Sequence, residues 1–295
     1  MRSQHLDPEN ERETLIAIEG LSREWTLMQI TDSHMAAADQ RDPDALEATN
    51  HYQALFAERT PAGAPTRQIF GEVLEKSNEL EVDHTVLTGD IIHFPSHAAL
   101  ETLAQDLGSL RSDYLYTLGN HDWYFPHLEW NDETRLAHYP RLAHLTKGTP
   151  AAQAVDLGEV RLLAVDNSNY QISPAQLHFL HQHLDTGIPC LLFVHIPLAL
   201  PSLMPAMAEV WEDPIVMAAS GWIEENRIRR SIRESDQSTL AAHQLLSDQA
   251  ANLVGIFCGH IHFPHADPLQ SGGFQYVTRP CYEGGYRLIR LKPLS

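Results

Sequence analysis

Five short polar stretches, each directly behind an apolar run, constrain this chain more than any other feature. They are Asp32-Ser33-His34, Gly89-Asp90, Gly119-Asn120-His121-Asp122, His195 and Gly259-His260-Ile261-His262. In α/β proteins, ligands collect beyond the carboxyl ends of the strands. One such stretch carries little weight. Five in this order, each behind a strand-like run, predict an α/β chain whose strand ends converge on one site.

The residue types say what that site can hold. Carboxylates, imidazoles and one carboxamide, with no thiolate, suit Mn, Fe or Zn and do not suit a cysteine-type structural zinc site. Two divalent ions about 3.5–4 Å apart need one ligand that spans both, and a carboxylate does this best. Asp90 is the candidate bridge. Asp32, His34 and His262 would complete one ion's shell, and Asn120, His195 and His260 the other's. The glycines before Asp90, Asn120 and His260 let the backbone turn sharply and approach the ions closely.

In its motifs the chain resembles the calcineurin-like metallophosphoesterase superfamily. The family pattern is D-x-H, G-D, G-N-H-D/E, a lone H, then G-H-x-H. Here it runs through Asp32–His34, Gly89–Asp90, Gly119–Asp122, His195 and Gly259–His262. The resemblance spans about Trp25 to Ile289, with no family ligand missing. It implies a four-layer α-β-β-α sandwich of two mixed sheets flanked by helices. It also implies a pair of divalent metal ions as cofactors and hydrolysis of phosphate esters, with His121 protonating the leaving group.

One departure matters. Many members read G-D-x-x-D, and that second Asp can orient the catalytic histidine. Here His93 stands at that position, and two imidazoles cannot form the charge-assisted bond of a carboxylate with an imidazolium. Either Asp122 or another acid orients His121, or His121 works with a lowered pKa. Phe94 stands where the protein phosphatase branch has an arginine, which argues against that branch. Val165-Asp166-Asn167-Ser168, followed by Ser173-Pro174-Ala175-Gln176-Leu177, is similar to a segment of the class III cyclic-nucleotide phosphodiesterase-like branch. The resemblance therefore leans towards a phosphodiesterase for a nucleotide or small organic diester. The alternatives are a phosphomonoesterase and a non-catalytic metal-binding scaffold, and an unbroken ligand set speaks against the scaffold.

The formal charge of −19 argues against long nucleic acid as a partner, because phosphate backbones are held by basic surfaces. It does not exclude a small phosphate-ester substrate. The motifs run through most of the 295 residues, which favours a single domain over 1–295. Cys190, Cys258 and Cys281 lie in apolar, strand-like contexts and read as buried free thiols, in keeping with a reducing cytoplasm. No apolar run reaches the roughly 18 residues of a membrane span, and the first residues have no signal-peptide core. Oligomeric state is not legible.

Thr14 to Ile18 and Trp25 to Thr31 read as a strand hairpin. Later strands are expected at 84–88, 114–118, 160–165, 190–194, 253–258, 275–278 and 286–291. Helices are expected near 69–80 and 98–110, and after Ser173, whose spacing to Gln176 is that of a capping box. Residues 196 to 238, rich in proline and carrying Trp211 and Trp222, read as a long irregular loop. It either roofs the site or is a surface excursion. Four further residues are candidate substrate contacts: His93, Trp123, Arg279 and Tyr282. Trp123 would stack on a planar group, or else form the apolar wall under its loop.

Overall fold

The computed structural model describes residues 2–294. Along the chain come β1 (Ser3–Leu6), β2 (Glu13–Ile18), β3 (Trp25–Ile30), α1 (Leu46–Ala57), α2 (Thr66–Glu79), β4 (His84–Thr88), α3 (His97–Leu107) and β5 (Asp113–Thr117). Then come α4 (Asp132–Leu142), β6 (Ala152–Asp156), β7 (Arg161–Val165), α5 (Pro174–Leu184) and β8 (Cys190–Phe193). The remainder is α6 (Leu203–Trp211), α7 (Glu224–Arg229), α8 (Gln237–Gln244), β9 (Leu253–Cys258), β10 (His265–Pro268), β11 (Phe274–Val277) and β12 (Arg287–Pro293).

The strands form two mixed six-stranded sheets, ordered β1-β2-β12-β3-β4-β5 and β10-β11-β9-β8-β7-β6. Three apolar clusters define four layers. Ile16, Leu27, Val86, Leu191, Phe193, Phe257 and Ile289 fill the space between the sheets. Phe70, Val73 and Leu74 of α2 and Leu100 and Leu103 of α3 cover the outer face of the first sheet. Leu180, Leu184, Met207 and Ala242 from α5, α6 and α8 cover the second. Strands covered on both faces read as unbroken apolar runs, and β9 is buried at every position.

The local signals act as their chemistry requires. The Ser173 hydroxyl accepts the Gln176 amide, and the Gln176 side chain accepts the Ser173 amide. The Gln176 side-chain NH2 also donates to the carbonyls of Ala151 and Asp166, so the cap ties α5 to the loop after β7. On α3, Ser96 caps the Ala99 amide, and Leu100, Leu103 and Leu107 are buried.

Two expectations are corrected. β2 and β3 are not a hairpin: β12 lies between them, parallel to β2 and antiparallel to β3. The segment from Glu19 to Glu24 has no two-residue turn to close a hairpin. β12, which buries Ile289 and Leu291, fills the gap, and β2 makes its antiparallel pair with β1. Residues 196–238 are not irregular throughout, since α6 and α7 lie within them. Pro205 sits in the first turn of α6, where a missing amide costs nothing. All three cysteines are free and buried. No helix among the described residues is long and apolar enough to cross a membrane.

Ile289 is fully buried and paired with Thr14 on one side and Leu27 on the other. Ile289→Ala is expected to lower unfolding free energy by about 2–5 kcal/mol, read from urea denaturation. A loss under about 0.5 kcal/mol, the range of ordinary surface changes, would mean that β12 is not the strand that joins the two halves of its sheet.

Candidate metal centre

Adjacent strands of both sheets end at one place. Asp32 and His34 follow β3, Asp90 follows β4, Asn120 to Asp122 follow β5, His195 follows β8, and His260 and His262 follow β9. Asp32, His34, Asp90, His260 and His262 all have positive φ, between 47° and 73°. Non-glycine residues are held there only when the surroundings over-determine them. A Cβ on Gly119 would overlap the amide and carboxylate of Asp90, and one on Gly259 would overlap Thr31 and the Asp32 carboxylate. Both glycines are therefore demanded by close approach, as their place in the sequence suggested.

The side chains gather in two groups joined by Asp90. In the first, Asp32, His34 and His262 bring their ligand atoms within 4.8 Å of one another. In the second, Asp90, His195 and His260 do the same, and Asn120 Oδ1 lies 3.1 Å from His195 Nε2. Asp90 Oδ2 stands 3.2 Å from His195 Nε2 and 3.8 Å from His34 Nε2, so one oxygen faces both groups.

The donor set fits cations. His34 Nε2 and His262 Nε2 lie 3.1 Å apart, two ring nitrogens turned to one point. Each of the four histidines has its other nitrogen occupied from outside. His195 Nδ1 meets the Thr88 carbonyl at 2.8 Å, and His260 Nε2 meets the Tyr170 hydroxyl at 2.9 Å. His262 Nδ1 meets the Tyr282 hydroxyl at 3.2 Å, and His34 Nδ1 meets His93 Nδ1 at 3.0 Å. Outer partners of this kind orient metal-binding imidazoles. Burial pulls His34 and His260 well below the ordinary imidazole range, which favours the neutral form that binds metals. Burial pushes the Asp90 carboxyl up, but His195, His121 and His34 outweigh it and hold it well below the usual carboxylate range. Burial would lower His195 too, yet the Asp90 charge beside it raises it to about 9.

The expectation that Asp122 orients His121 is corrected. Its carboxylate accepts the amides of Gly119 at 2.6 Å, Asp90 at 2.8 Å and Ile92 at 3.0 Å. It braces two loops against each other, and among the described residues no hydrogen bond joins it to the His121 ring. The His121 amide donates to Asp90 Oδ1 at 2.7 Å, which fixes the loop, while its Nδ1 is buried without a partner. His93 lies against His121 face to face, with ring centroids 4.1 Å apart. His93 thus touches the site, through His34 and His121. Burial lowers the pKa of His121.

The other candidates fall out unequally. Trp123 is fully buried and its indole donates to Ser168, so its ring is wall under the loop with no face for a ligand. Arg279 is turned to Glu11 and Glu283. Tyr282 is buried against His262 and His34. A cavity of about 270 Å³ opens over Asp90, Asn120, His121, His260 and His262. Its upper wall is Trp130, Tyr170, Trp211, Ile215, Arg230 and Ile232. Four of these come from 196–238. The Trp211 indole donates to the Ile261 carbonyl, fastening this wall to the turn between the two histidines. Asn167 was not singled out for a role, yet its side-chain oxygen accepts the His195 and Ile196 amides. Its place in a polar stretch behind β7 was the available signal.

A family model described as calcineurin-like phosphoesterase matches residues 26–264. No curated protein sequence matches the chain. Among solved structures, a dimetal phosphatase from Danio rerio is similar at 14% identity and a TM-score of 0.52, over 88% of this chain and 88% of that one. A purple acid phosphatase from yellow lupin (Lupinus luteus) seeds is similar at 12% identity and a TM-score of 0.52, over 92% of this chain and 46% of that one. At these identities the likeness is one of fold.

Gly119→Ala is expected to leave far-ultraviolet circular dichroism unchanged and to lower Mn affinity at least about tenfold, by analogy with lost outer-shell support. Unchanged affinity would mean that the close approach of the two loops does not position Asp90.

Proposed function

Since the chain belongs to the calcineurin-like phosphoesterase family, and is thereby a metal-dependent phosphoesterase, we propose that it hydrolyses phosphodiesters. The substrate class is a nucleotide or another small organic phosphodiester, and the chain is placed with the cyclic-nucleotide phosphodiesterase-like branch. Two ions of the Mn, Fe or Zn kind, when bound, supply positive charge to the phosphate oxygens and activate a water. Asp32, His34 and His262 would hold one and Asn120, His195 and His260 the other, with Asp90 shared. Three free, buried cysteines support a reducing compartment, and we place the protein in the cytoplasm.

The observation that carries the diester reading is the cavity wall. Trp130, Trp211, Ile215 and Ile232 stand over a polar floor. Apolar surface beyond the phosphate binds organic groups, and a diester carries one on each side. Arg230 is the only lysine or arginine lining the cavity among the described residues. A site with so little further cationic charge suits the single negative charge of a diester better than the double charge of a monoester.

His121 gives a proton to the departing alkoxide. Its backbone is tied to Asp90, and its ring lines the cavity. Asp122 serves by holding the loop that carries it. His121→Ala is expected to lower turnover of an alkyl ester, a poor leaving group, by about 10²–10⁴-fold with metal content unchanged. Full activity on that ester would remove His121 from the role. With Mn-loaded protein, kcat/KM for bis-p-nitrophenyl phosphate is expected to exceed that for p-nitrophenyl phosphate at least about tenfold, or about 1.4 kcal/mol. A preference for the monoester would overturn the diester reading.

A further inference from the structure

We propose that Arg230 is the anion clamp of this centre, a side chain that binds a phosphate oxygen and is held in place for that purpose by the buried carboxylate of Asp213. The inference deepens the phosphoesterase reading and rests on it.

The local backbone presents Arg230 to the cavity. It follows the last turn of α7, its amide donating to the Asn226 carbonyl. The next residue, Ser231, has a φ of 56°, a left-handed conformation that reverses the chain at once. Ile232 donates back to the Arg227 carbonyl. As a result Arg230 and Ile232, two residues apart, line the same cavity as His121 and Asp90.

The side chain is then fixed by one edge only. Arg230 Nε donates to Asp213 Oδ2 at 2.6 Å. Asp213 is 2% exposed, and Asn226 Nδ2 donates to its other oxygen at 2.7 Å. The guanidinium makes no other hydrogen bond among the described residues, so both terminal nitrogens are free donors. A guanidinium used only to neutralise a buried carboxylate would be expected to meet it two-pronged through parallel N–H bonds. Here a single bond sets the orientation, and the two outer nitrogens remain on a side chain that lines the cavity. A planar pair of N–H donors matches two oxygens of a phosphate. Because Asp213 is held by Asn226 as well, the clamp is prepared before substrate arrives.

The test uses the full chain loaded with Mn, with inorganic phosphate as the probe. Phosphate affinity is read by calorimetry, metal content by elemental analysis, and kcat/KM with bis-p-nitrophenyl phosphate. Arg230→Met is expected to keep the wild-type metal content and to weaken phosphate binding roughly tenfold to a hundredfold, the range for a charged hydrogen-bonded pair. Its kcat/KM should fall by at least about as much. Arg230→Lys, a point charge without the fork, should recover part of the affinity and not all of it. If Arg230→Met does not fold, Arg230→Gln, which keeps a donor for Asp213, carries the same comparison. Phosphate affinity within about twofold of wild type, with metal content intact, would overturn the proposal, as would wild-type protein that binds no phosphate. The titration reads Arg230 without turnover. A wild type that binds phosphate but hydrolyses no ester would therefore count against the hydrolase reading and leave the Arg230 result decisive.

Discussion

The buried carboxylate of Asp122 holds the centre together. It gathers three backbone amides, from Gly119, Asp90 and Ile92, and so locks the loop after β5 against the loop after β4. Burial and the nearby Asp90 charge push its carboxyl above the ordinary range, while the Gly119 and Ile92 amides pull it down. Its fixed position sets that of Asp90, and Asp90 is the group that faces both halves of the site. The neighbouring His121 amide, bound to Asp90 Oδ1, completes the lock.

The same arrangement concentrates strain. Five of the seven proposed ligands occupy left-handed backbone, where side chains sit at a cost of order 1–3 kcal/mol each. The two sheets and their covering helices must supply that stability from burial. The inter-sheet core does so around β12, which stitches β2 to β3 and carries Ile289 and Leu291 into it. Strand ends from two sheets then meet at fixed separation. Thr88 on one sheet holds His195 of the other, and Asp32 accepts the amide of His260.

Much of this was legible in the sequence, for definite reasons. The seven proposed ligands could be read because each sits behind an apolar strand, and the structure gathers them at one place. The helix at Ser173 could be read because its capping chemistry is local. The role of Asp122 could not, since its three amide partners belong to loops whose conformations no local pattern reveals. Nor could the insertion of β12, because strand order follows tertiary competition for edges. β1 escaped notice because Ser3-Gln4-His5-Leu6 has no apolar alternation. α6 was hidden by Pro205, which is harmless in a first turn but reads as a breaker. Trp123 stayed open between stacking and packing because both use the same residue type. Arg230 was invisible for a related reason: one arginine among Arg227, Arg229, Arg230 and Arg233 acquires meaning only from Asp213 and the cavity it borders.

The centre is proposed to hold two cations side by side, with Asp90 facing both. Electron paramagnetic resonance of the protein loaded with two equivalents of Mn(II) tests it most directly. Two ions about 3.5–4 Å apart predict the spectrum of an exchange-coupled pair. A spectrum of isolated Mn(II) at full loading, with no coupling, would contradict the shared centre and the mechanism built on it.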